Sequence, residues 1–238
     1  MRPWPIWMRA WRRRDDLGGW MIPFWLLAAD ILGLTLPYLI VNRINDARDR
    51  AAFDPELALD RSLPFVDWAI LAYGSFYLYY VLAAVIARSS DAGARRLIVM
   101  HQTLMMLTWG ILVVMLLLPV EVDLRDQVDP RPIFQPFFDA LYSADSAWNA
   151  WPSLHIVHAL LIVLTADLSL RARHLRPLRI GIWVFWTALA SSVMLVKQHY
   201  VFDVLTGVLV AVVAWRWWLR PALGMLDEDP DILPIRTS

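Results

Sequence analysis

Residues 97–118 read LIVMHQTLMMLTWGILVVMLLL, an apolar run that contains no Asp, Glu, Lys or Arg. About 20 such residues make a helix long enough to cross the hydrocarbon core of a bilayer. Hydrophobic residues form 59% of the 238-residue chain, more than an ordinary soluble domain carries. With five further mostly apolar runs of about this length, the predicted fold class is all-α, a polytopic bundle of six transmembrane helices. The predicted spans are 20–41, 66–87, 97–118, 154–170, 179–197 and 200–219.

The charge balance and the cysteine count exclude several classes of function. Lys and Arg equal Asp and Glu at 22 each, so the chain has no basic excess for binding nucleic acid. Cysteine is absent, which excludes disulfides, thiolate nucleophiles and metal sites built on cysteine. Any chemistry must therefore come from other side chains.

The distribution of basic residues predicts the orientation of the spans. With the N-terminus in the cytoplasm, the inside segments and their boundaries hold 15 of the 22 basic residues, as the positive-inside rule requires. The long loop over 119–153 then lies on the non-cytoplasmic side. Richness in Arg and Trp is typical of a GC-rich genome, so we expect a bacterial inner membrane.

Three segments are predicted along the chain. Residues 20–219 form the membrane domain, and 220–238 form a cytoplasmic tail. The basic N-terminal segment 1–19 has an apolar helical stripe, typical of a helix that lies in the headgroup layer. A disordered basic leader that only fixes topology is the alternative. The stripe consists of Trp4, Trp7, Met8 and Trp11.

A first polar motif, Trp151-Pro152-Ser153-Leu154-His155, stands at the start of the fourth span. Pro and Ser are common at helix starts, where free backbone N–H groups and the helix dipole favour an anion. His155 then lies in the first turn, where an imidazole can protonate a leaving oxygen. Taken alone, the motif also fits an ordinary helix start with an interfacial histidine.

A second motif, Lys197-Gln198-His199-Tyr200-Val201-Phe202-Asp203, begins the sixth span. His199 and Asp203 are four residues apart, so they share a helix face. A carboxylate bonded to one ring nitrogen orients the imidazole and leaves the other nitrogen free as a nucleophile or base. Lys197 adds positive charge close by. A pair that merely satisfies polar groups at a span end is the alternative.

Two spans separate the motifs, so both are predicted at one membrane face, on the non-cytoplasmic side. Together they resemble the type 2 phosphatidic acid phosphatase superfamily, which carries Pro-Ser-x-His and a later Ser-Arg-(five residues)-His-(three residues)-Asp. Here Pro152, Ser153 and His155 match the first pattern. Leu154 in place of the usual Gly is similar to the branch of inositol phosphorylceramide synthases. Residues 142–149, read as Tyr-x-x-Asp-x-x-x-Asn, are similar to that branch too.

The second family pattern is matched in both spacings by Ser192, His199 and Asp203. The resemblance implies a phosphohistidine mechanism without a metal or other cofactor. In it His199 attacks phosphorus, Asp203 orients His199, His155 protonates the departing alcohol, and the Ser153 region binds phosphate oxygens. The implied partners are a membrane lipid phosphate or phospholipid and, in a transferase, a lipid alcohol acceptor.

The sequence departs from the family pattern at its cations. The Arg of the second motif falls at Val193, so we expect Lys197 to be the substitute phosphate ligand. The family's first motif ends in Arg-Pro, which Arg131-Pro132 fits, but the position of its Lys holds Leu124. Arg125, one residue further, is a second candidate for that cation.

Two alternatives belong to other functional classes. A transporter or scaffold would keep this fold without activity, although the intact set of His155, His199 and Asp203 argues against it. An intramembrane metalloenzyme would need a ligand pattern such as His-Glu-x-x-His, which the sequence lacks.

Other ionisable residues lie within the predicted spans, where an unpaired charge is costly. We expect His158, one turn beyond His155, to pack in the core. Asp30 is expected to be protonated or hydrogen-bonded as a contact between helices. His101 and Asp167 fall at similar depth, so they either meet or leave Asp167 to approach Arg171.

Overall fold

The fold was taken from a computed structural model, which describes residues 2–48, 53–87, 90–172, 174–229 and 232–233. Six helices are long and apolar enough to cross a membrane, which confirms the predicted all-α polytopic bundle and makes the chain an integral multi-pass membrane protein. The spanning helices are α2 (Met21–Asp46), α4 (Ala69–Ala87), α5 (Asp91–Leu117), α7 (Leu154–Ala172), α8 (Arg176–Leu195) and α9 (Val201–Glu228).

Shorter helices complete the chain. The N-terminal α1 covers Trp7–Arg12 and is followed by one turn over Asp16–Gly19. On the side where α2 ends and α7 begins lie α3 (Ala58–Ser62), a 3-10 turn (Arg125–Gln127) and α6 (Gln135–Ala144). These three connect the spans around the candidate site.

The helices α5 and α7 form the centre of the bundle. Most of their residues are buried, and α7 packs against α4, α5, α8 and α9. The outer helices expose large apolar side chains, as lipid-facing surfaces do, for example Leu32 on α2 and Val184 on α8. Apolar burial therefore converges on α7, which carries the first polar motif at its start.

Two outer helices contain a wide π-helical turn. In α2 the turn covers Ile31–Thr35 and includes Gly33, and in α9 it covers Trp215–Leu219. Such turns usually mark local irregularity in a helix. The sixth span was predicted to end at 219, but the helix continues through this turn to Glu228, where Arg96 of α5 pairs with Asp227 at 3.0 Å. Most of the predicted tail beyond that point lies outside the described residues.

The N-terminal helix packs against the bundle. Trp7 and Trp11 are buried, and the Gln102 side chain of α5 accepts hydrogen bonds from the Trp4 backbone N–H and the Trp7 indole N–H. Arg14 then forms a two-pronged contact with Asp91 at the start of α5. The apolar stripe predicted in segment 1–19 thus packs against the N-terminal half of α5 in this structure.

Two buried aspartates, Asp30 and Asp167, pair with different partners. His101 contacts Asp30, with its Nε2 3.2 Å from a carboxylate oxygen, so Asp30 links α2 to α5. Asp167 instead lies between Arg171 and Arg179, both at 2.7 Å. The predicted contact between His101 and Asp167 is therefore wrong, because the Asp167 carboxylate is paired with the guanidinium groups of Arg171 and Arg179 instead.

His158 is a packed core residue with both ring nitrogens hydrogen-bonded. Tyr80 lies 2.6 Å from Nδ1 and Thr108 lies 2.8 Å from Nε2. The Thr108 hydroxyl hydrogen is donated to the Leu104 carbonyl, so Thr108 must accept from His158. The ring is therefore engaged on both sides, as core packing predicts.

A close helix crossing aligns the two polar motifs. A Cβ added to Gly207 of α9 would lie 3.0 Å from the Ser153 carbonyl oxygen and 3.1 Å from the Ile156 Cβ. Only glycine allows the two backbones to approach this closely. The crossing holds the start of α7 against the first turns of α9.

We expect Gly207→Ala to lower the free energy of unfolding by about 1–3 kcal/mol, because the new methyl group must displace the start of α7. Gly110→Ala and Gly181→Ala are matched controls, since a Cβ at either position meets nothing within 4 Å. Those two changes should leave stability unchanged or raise it slightly, as alanine favours helices. Thermal unfolding in detergent measures all three, and equal midpoints for Gly207→Ala and the controls would contradict the crossing.

Candidate active site

The two motif histidines meet at one end of the bundle. The Nε2 atom of His199 lies 3.4 Å from the Nδ1 atom of His155, and the ring centroids are 5.5 Å apart. Two aromatic rings, Tyr73 at 4.8 Å and Phe76 at 4.6 Å, pack against His155. The sequence prediction that the spans bring these histidines together agrees with this geometry.

Asp203 and Ser153 contact opposite sides of the His199 ring. One carboxylate oxygen of Asp203 lies 3.4 Å from Nδ1, and the Ser153 hydroxyl lies 3.2 Å from Nε2. The carboxylate also accepts the Tyr200 backbone N–H, which fixes it at the start of α9. Among the described residues, His199 Nδ1 and the second Asp203 oxygen have no hydrogen-bond partner.

The backbone links the two motifs as well. The Ser153 N–H donates to the Asp203 carbonyl at 3.2 Å, and the Ser153 carbonyl accepts the N–H of Val157 in the first turn of α7. Ser153 is fully buried, and its hydroxyl faces His199. Ser153 thus connects the start of α7 directly to the histidine–aspartate pair.

The structure places Lys197 in a supporting position. Its backbone has a positive φ of 59°, and its buried ammonium donates to the Asp60 carbonyl at 2.9 Å and the Leu63 carbonyl at 2.7 Å. Burial lowers the pKa of this ammonium. The side chain therefore ties the turn before His199 to the α3 loop, and Lys197 is among the residues that line the cleft described below.

Asp60 reinforces the same turn. One of its carboxylate oxygens accepts the Val201 N–H, the first of α9, and the other accepts the Leu57 N–H. An acidic group at a helix start is favoured by the free N–H groups and the dipole. Sequence reasoning missed Asp60, since nothing in its local sequence indicates contact with a segment 140 residues later.

Arg131 is engaged in an ion pair with Asp67. Its guanidinium nitrogens lie 2.6 and 2.7 Å from the two carboxylate oxygens, and its backbone N–H also donates to Asp67. The Arg131 guanidinium holds the pKa of Asp67 well below its usual range. None of these described contacts connects Arg131 to the histidine pair.

Arg125 is the candidate cation that borders the same cleft as His199. The cleft is narrow in this structure. The guanidinium lies 4.3 Å above the Tyr142 ring and donates to the Asp145 carbonyl at 3.0 Å. Within the described ranges Arg125 forms no ion pair, so most of its N–H groups remain free for an anion.

The cleft has an acidic wall that sequence reasoning did not assign to the site. Asp145 lines it together with Tyr38, Tyr73 and Asn149. Burial raises the pKa of the Asp145 carboxyl, while hydrogen bonds from Tyr38 and Asn42 and the charges of His199 and Arg125 act in the opposite direction. The run Tyr-x-x-Asp-x-x-x-Asn over 142–149 was the one sequence signal for this wall.

Within the part of the chain that the structure describes, no group of three or more His, Asp or Glu side chains is arranged to hold a metal ion. No curated protein sequence and no solved structure matches the chain. A family profile described as the PAP2 superfamily, the type 2 phosphatidic acid phosphatases, matches residues 49–217 and covers both motifs. The match extends over more than half of the sequence, and the chain therefore belongs to the PAP2 superfamily.

Proposed function

We propose that this membrane protein cleaves a lipid phosphoester or pyrophosphate through a phosphohistidine formed on His199. Membership of the PAP2 superfamily supports a lipid enzyme of the phosphatase or phosphotransferase type. The observation that carries the proposal is the set of contacts around one ring. His199 has Asp203 3.4 Å from Nδ1, and Ser153 and His155 at 3.2 and 3.4 Å from Nε2.

In the first step Nε2 of His199 attacks phosphorus and forms the N–P bond. The bond between phosphorus and the leaving oxygen breaks, and the leaving oxygen takes a proton from His155. Asp203 stabilises the positive charge that develops on the attacking imidazole. A covalent intermediate of this kind divides one difficult displacement into two easier ones.

In the second step an acceptor O–H attacks the phosphohistidine. His155, now without its proton, takes the acceptor proton, and the N–P bond breaks to regenerate His199. Water as acceptor makes the protein a lipid phosphatase. A lipid alcohol as acceptor makes it a headgroup transferase of the inositol phosphorylceramide synthase type, which is the alternative proposal.

The His199–His155 pair must open when a substrate binds. A nucleophile lies roughly 3–3.5 Å from the atom it attacks, and an acid lies about 2.6–3.2 Å from the oxygen it protonates. The present separation of 3.4 Å is too short to hold both distances and the phosphoryl group between them. We expect the His155 ring to move, since it is held by ring packing against Tyr73 and Phe76 and by one long contact to His199.

Arg125 is proposed as the phosphate-binding cation, in preference to Arg131 and Lys197. Arg125 borders the cleft beside His199. Arg131 donates to Asp67 and Lys197 to two carbonyls. A fixed guanidinium stabilises the phosphoryl oxygens as negative charge shifts in the transition state.

We expect Arg125→Gln to lower kcat/KM about 100-fold, the scale found when one transition-state donor is removed. Arg131→Gln is the matched control and should change kcat/KM by less than about 3-fold, since an exposed ion pair contributes little. Its side chain is 63% exposed. Steady-state kinetics on a lipid phosphate measure both variants. A larger loss in Arg131→Gln than in Arg125→Gln would reverse the assignment.

The charge distribution of the sequence supports a site on the non-cytoplasmic side of the membrane. The loop over 119–153 and the two motifs stand on the side with few basic residues. Substrates are therefore expected to reach the cleft from the outer leaflet.

The test of the proposed function uses the full chain purified in detergent with EDTA present. Lipid phosphates and intact phospholipids are supplied with and without diacylglycerol or ceramide, and both free phosphate and new lipids are followed. Phosphate release that needs His199 and ignores the acceptor identifies a phosphatase. A new phosphorylated lipid that forms only with acceptor identifies a transferase, and activity equal to wild type in His199→Asn would contradict both.

A further inference from the structure

The cleft beside His199 contains groups of both charges. Arg125 contributes a guanidinium with free N–H groups, and Asp145, whose backbone carbonyl accepts one bond from Arg125, contributes a carboxylate. A carboxylate repels phosphate oxygens, so its presence in a phosphate cleft needs a separate explanation. Tyr38 and Asn42, which hold it, lie on α2, before the residues 49–217 that the family profile matches.

Resting on the proposed function, we propose that Asp145 recognises hydrogen-bond donors on the group esterified to the substrate phosphate. The preferred substrate is then a phosphodiester lipid whose headgroup carries a hydroxyl or an ammonium near the phosphate. Asp145 is a specificity-determining residue in this proposal, and His199 remains the group that attacks phosphorus.

Hydrogen-bond accounting leaves acceptor sites open on Asp145. An ionised carboxylate has about four lone-pair sites. The Tyr38 hydroxyl lies 2.9 Å from both oxygens but has one hydrogen to donate, and the Asn42 amide donates one more at 2.8 Å. Two sites therefore remain for a ligand on a carboxylate that lines the cleft.

The bonds from Tyr38 and Asn42 also fix the direction of the carboxylate. Asn42 is itself held, because its carbonyl oxygen accepts from the Ser146 backbone N–H and hydroxyl. Asn149, in the same loop after α6, accepts from the Asn45 amide and donates to the Tyr38 carbonyl. A preorganised acceptor of this kind binds a donor without first paying for its own ordering.

Charge favours a diester over a monoester. A phosphate monoester carries about two negative charges at neutral pH, whereas a diester carries one. Arg125 is the single cation in the described cleft lining with an unpaired head, because the Lys197 ammonium is bound to two carbonyls. One guanidinium balances one diester charge, and Asp145 is left to a neutral or cationic headgroup.

The aromatic walls suit the same headgroup chemistry. Tyr38 and Tyr73 line the cleft next to Asp145. Tyrosine rings pack well on the C–H faces of polyols and attract ammonium groups through the ring quadrupole. Hydroxyl and ammonium headgroups share the ability to donate to a carboxylate, and they differ in whether they bring charge.

The experiment compares four lipids of the same acyl chains in detergent micelles. Phosphatidylglycerol offers hydroxyls, phosphatidylethanolamine offers an ammonium, phosphatidylmethanol is a diester without a donor, and phosphatidic acid is the monoester. Wild type should cleave at least one donor-bearing diester at least about 10-fold faster than phosphatidylmethanol, a threshold well below the discrimination that sites built to bond a substrate donor can reach. The faster of the two donor lipids identifies hydroxyl or ammonium as the headgroup chemistry.

Asp145→Asn should reduce that preference, measured as the ratio of the rates on the donor-bearing lipid and on phosphatidylmethanol, to less than about 3-fold. Asp139→Asn is the matched control, because Asp139 is exposed on α6 and bonds only Gln135 among the contacts described. Tyr38→Phe removes one of the two donors that orient Asp145 but keeps the carboxylate and the Asn42 bond, so the preference should fall less than in Asp145→Asn. Equal loss on all four lipids in Asp145→Asn would mean a purely structural role and overturn the proposal.

The proposal for Asp145 would also be overturned if the wild-type enzyme cleaved phosphatidylmethanol as fast as both donor-bearing lipids. This outcome does not depend on whether Asp145→Asn folds. Failure of the proposed function looks different. In that case no lipid of the four is cleaved in a manner that depends on His199.

Discussion

His199→Asn is expected to reduce turnover of every lipid substrate by at least about 10³-fold, since removal of a covalent nucleophile leaves only residual catalysis by binding and fixed charges. Nε2 of His199 lies within 3.4 Å of both Ser153 and His155, and no other ring nitrogen is so surrounded in the part of the chain described. Asparagine is smaller than histidine, but its amide corresponds in position to the Nδ1 side of the ring and keeps a polar group next to Asp203. The thermal midpoint should therefore change little while activity is lost.

The matched control is His174→Asn. His174 is exposed in the loop between α7 and α8 and has a positive φ of 56°, which asparagine tolerates well. This variant should keep wild-type turnover. A His199→Asn protein with more than about a tenth of wild-type activity and an unchanged midpoint would rule out His199 as the nucleophile.

His155→Asn is expected to slow cleavage of a natural lipid ester by about 10²–10⁴-fold, the usual contribution of a positioned general acid. An alkoxide is a poor leaving group and needs the proton. Nitrophenolate leaves without one, so a nitrophenyl phosphate with an alkyl tail on its ring should bypass the first role of His155. Stopped-flow release of nitrophenolate in the first turnover should then stay within about 10-fold of wild type.

His199→Asn provides the contrast, because a good leaving group cannot replace a missing nucleophile. Its nitrophenolate burst should be absent. Equal losses for His155→Asn on the lipid and the nitrophenyl ester would contradict an acid role and indicate that His155 only positions the substrate or His199.

The transmembrane helices and the meeting of the motifs were predictable because hydropathy and spacing determine them. Runs such as 97–118 cannot be solvated in any other way, and two intervening spans return the chain to the same face. The spacing of His199 and Asp203 by four residues places them on one helical face in any sequence context. These features depend on hydropathy and on residue spacing, and both can be read from a single sequence.

The cations were harder to predict because their positions depend on distant loops. Lys197 is adjacent to His199 in sequence, yet its left-handed backbone directs the ammonium to the carbonyls of Asp60 and Leu63. Arg131 fits the family motif but pairs with Asp67 from another loop. Sequence proximity to His199 did not predict the left-handed backbone of Lys197. The match to the family motif did not predict that Asp67 would bind Arg131.

The buried acids show the same limit. Asp30 was expected to link helices, and it does so through His101, but depth alone also suggested Asp167 as a partner for that histidine. The rotation of each helix about its axis decides which groups face each other. Because the six spans have similar hydropathy, the sequence does not determine these rotations. The Asp145 wall was missed as a site element for this reason, since α2, α4 and the loop after α6 combine to build it.

The measurement that most directly tests a phosphohistidine on His199 is trapping it in the His155→Asn protein. The tailed nitrophenyl phosphate, labelled in its phosphate, should phosphorylate His199 quickly, and the missing base should slow its release. We expect label on the protein approaching one per chain, stable in base and lost in acid, and absent from His199→Asn. Rapid release of nitrophenolate without any protein-bound label, or label that persists in His199→Asn, would contradict the mechanism.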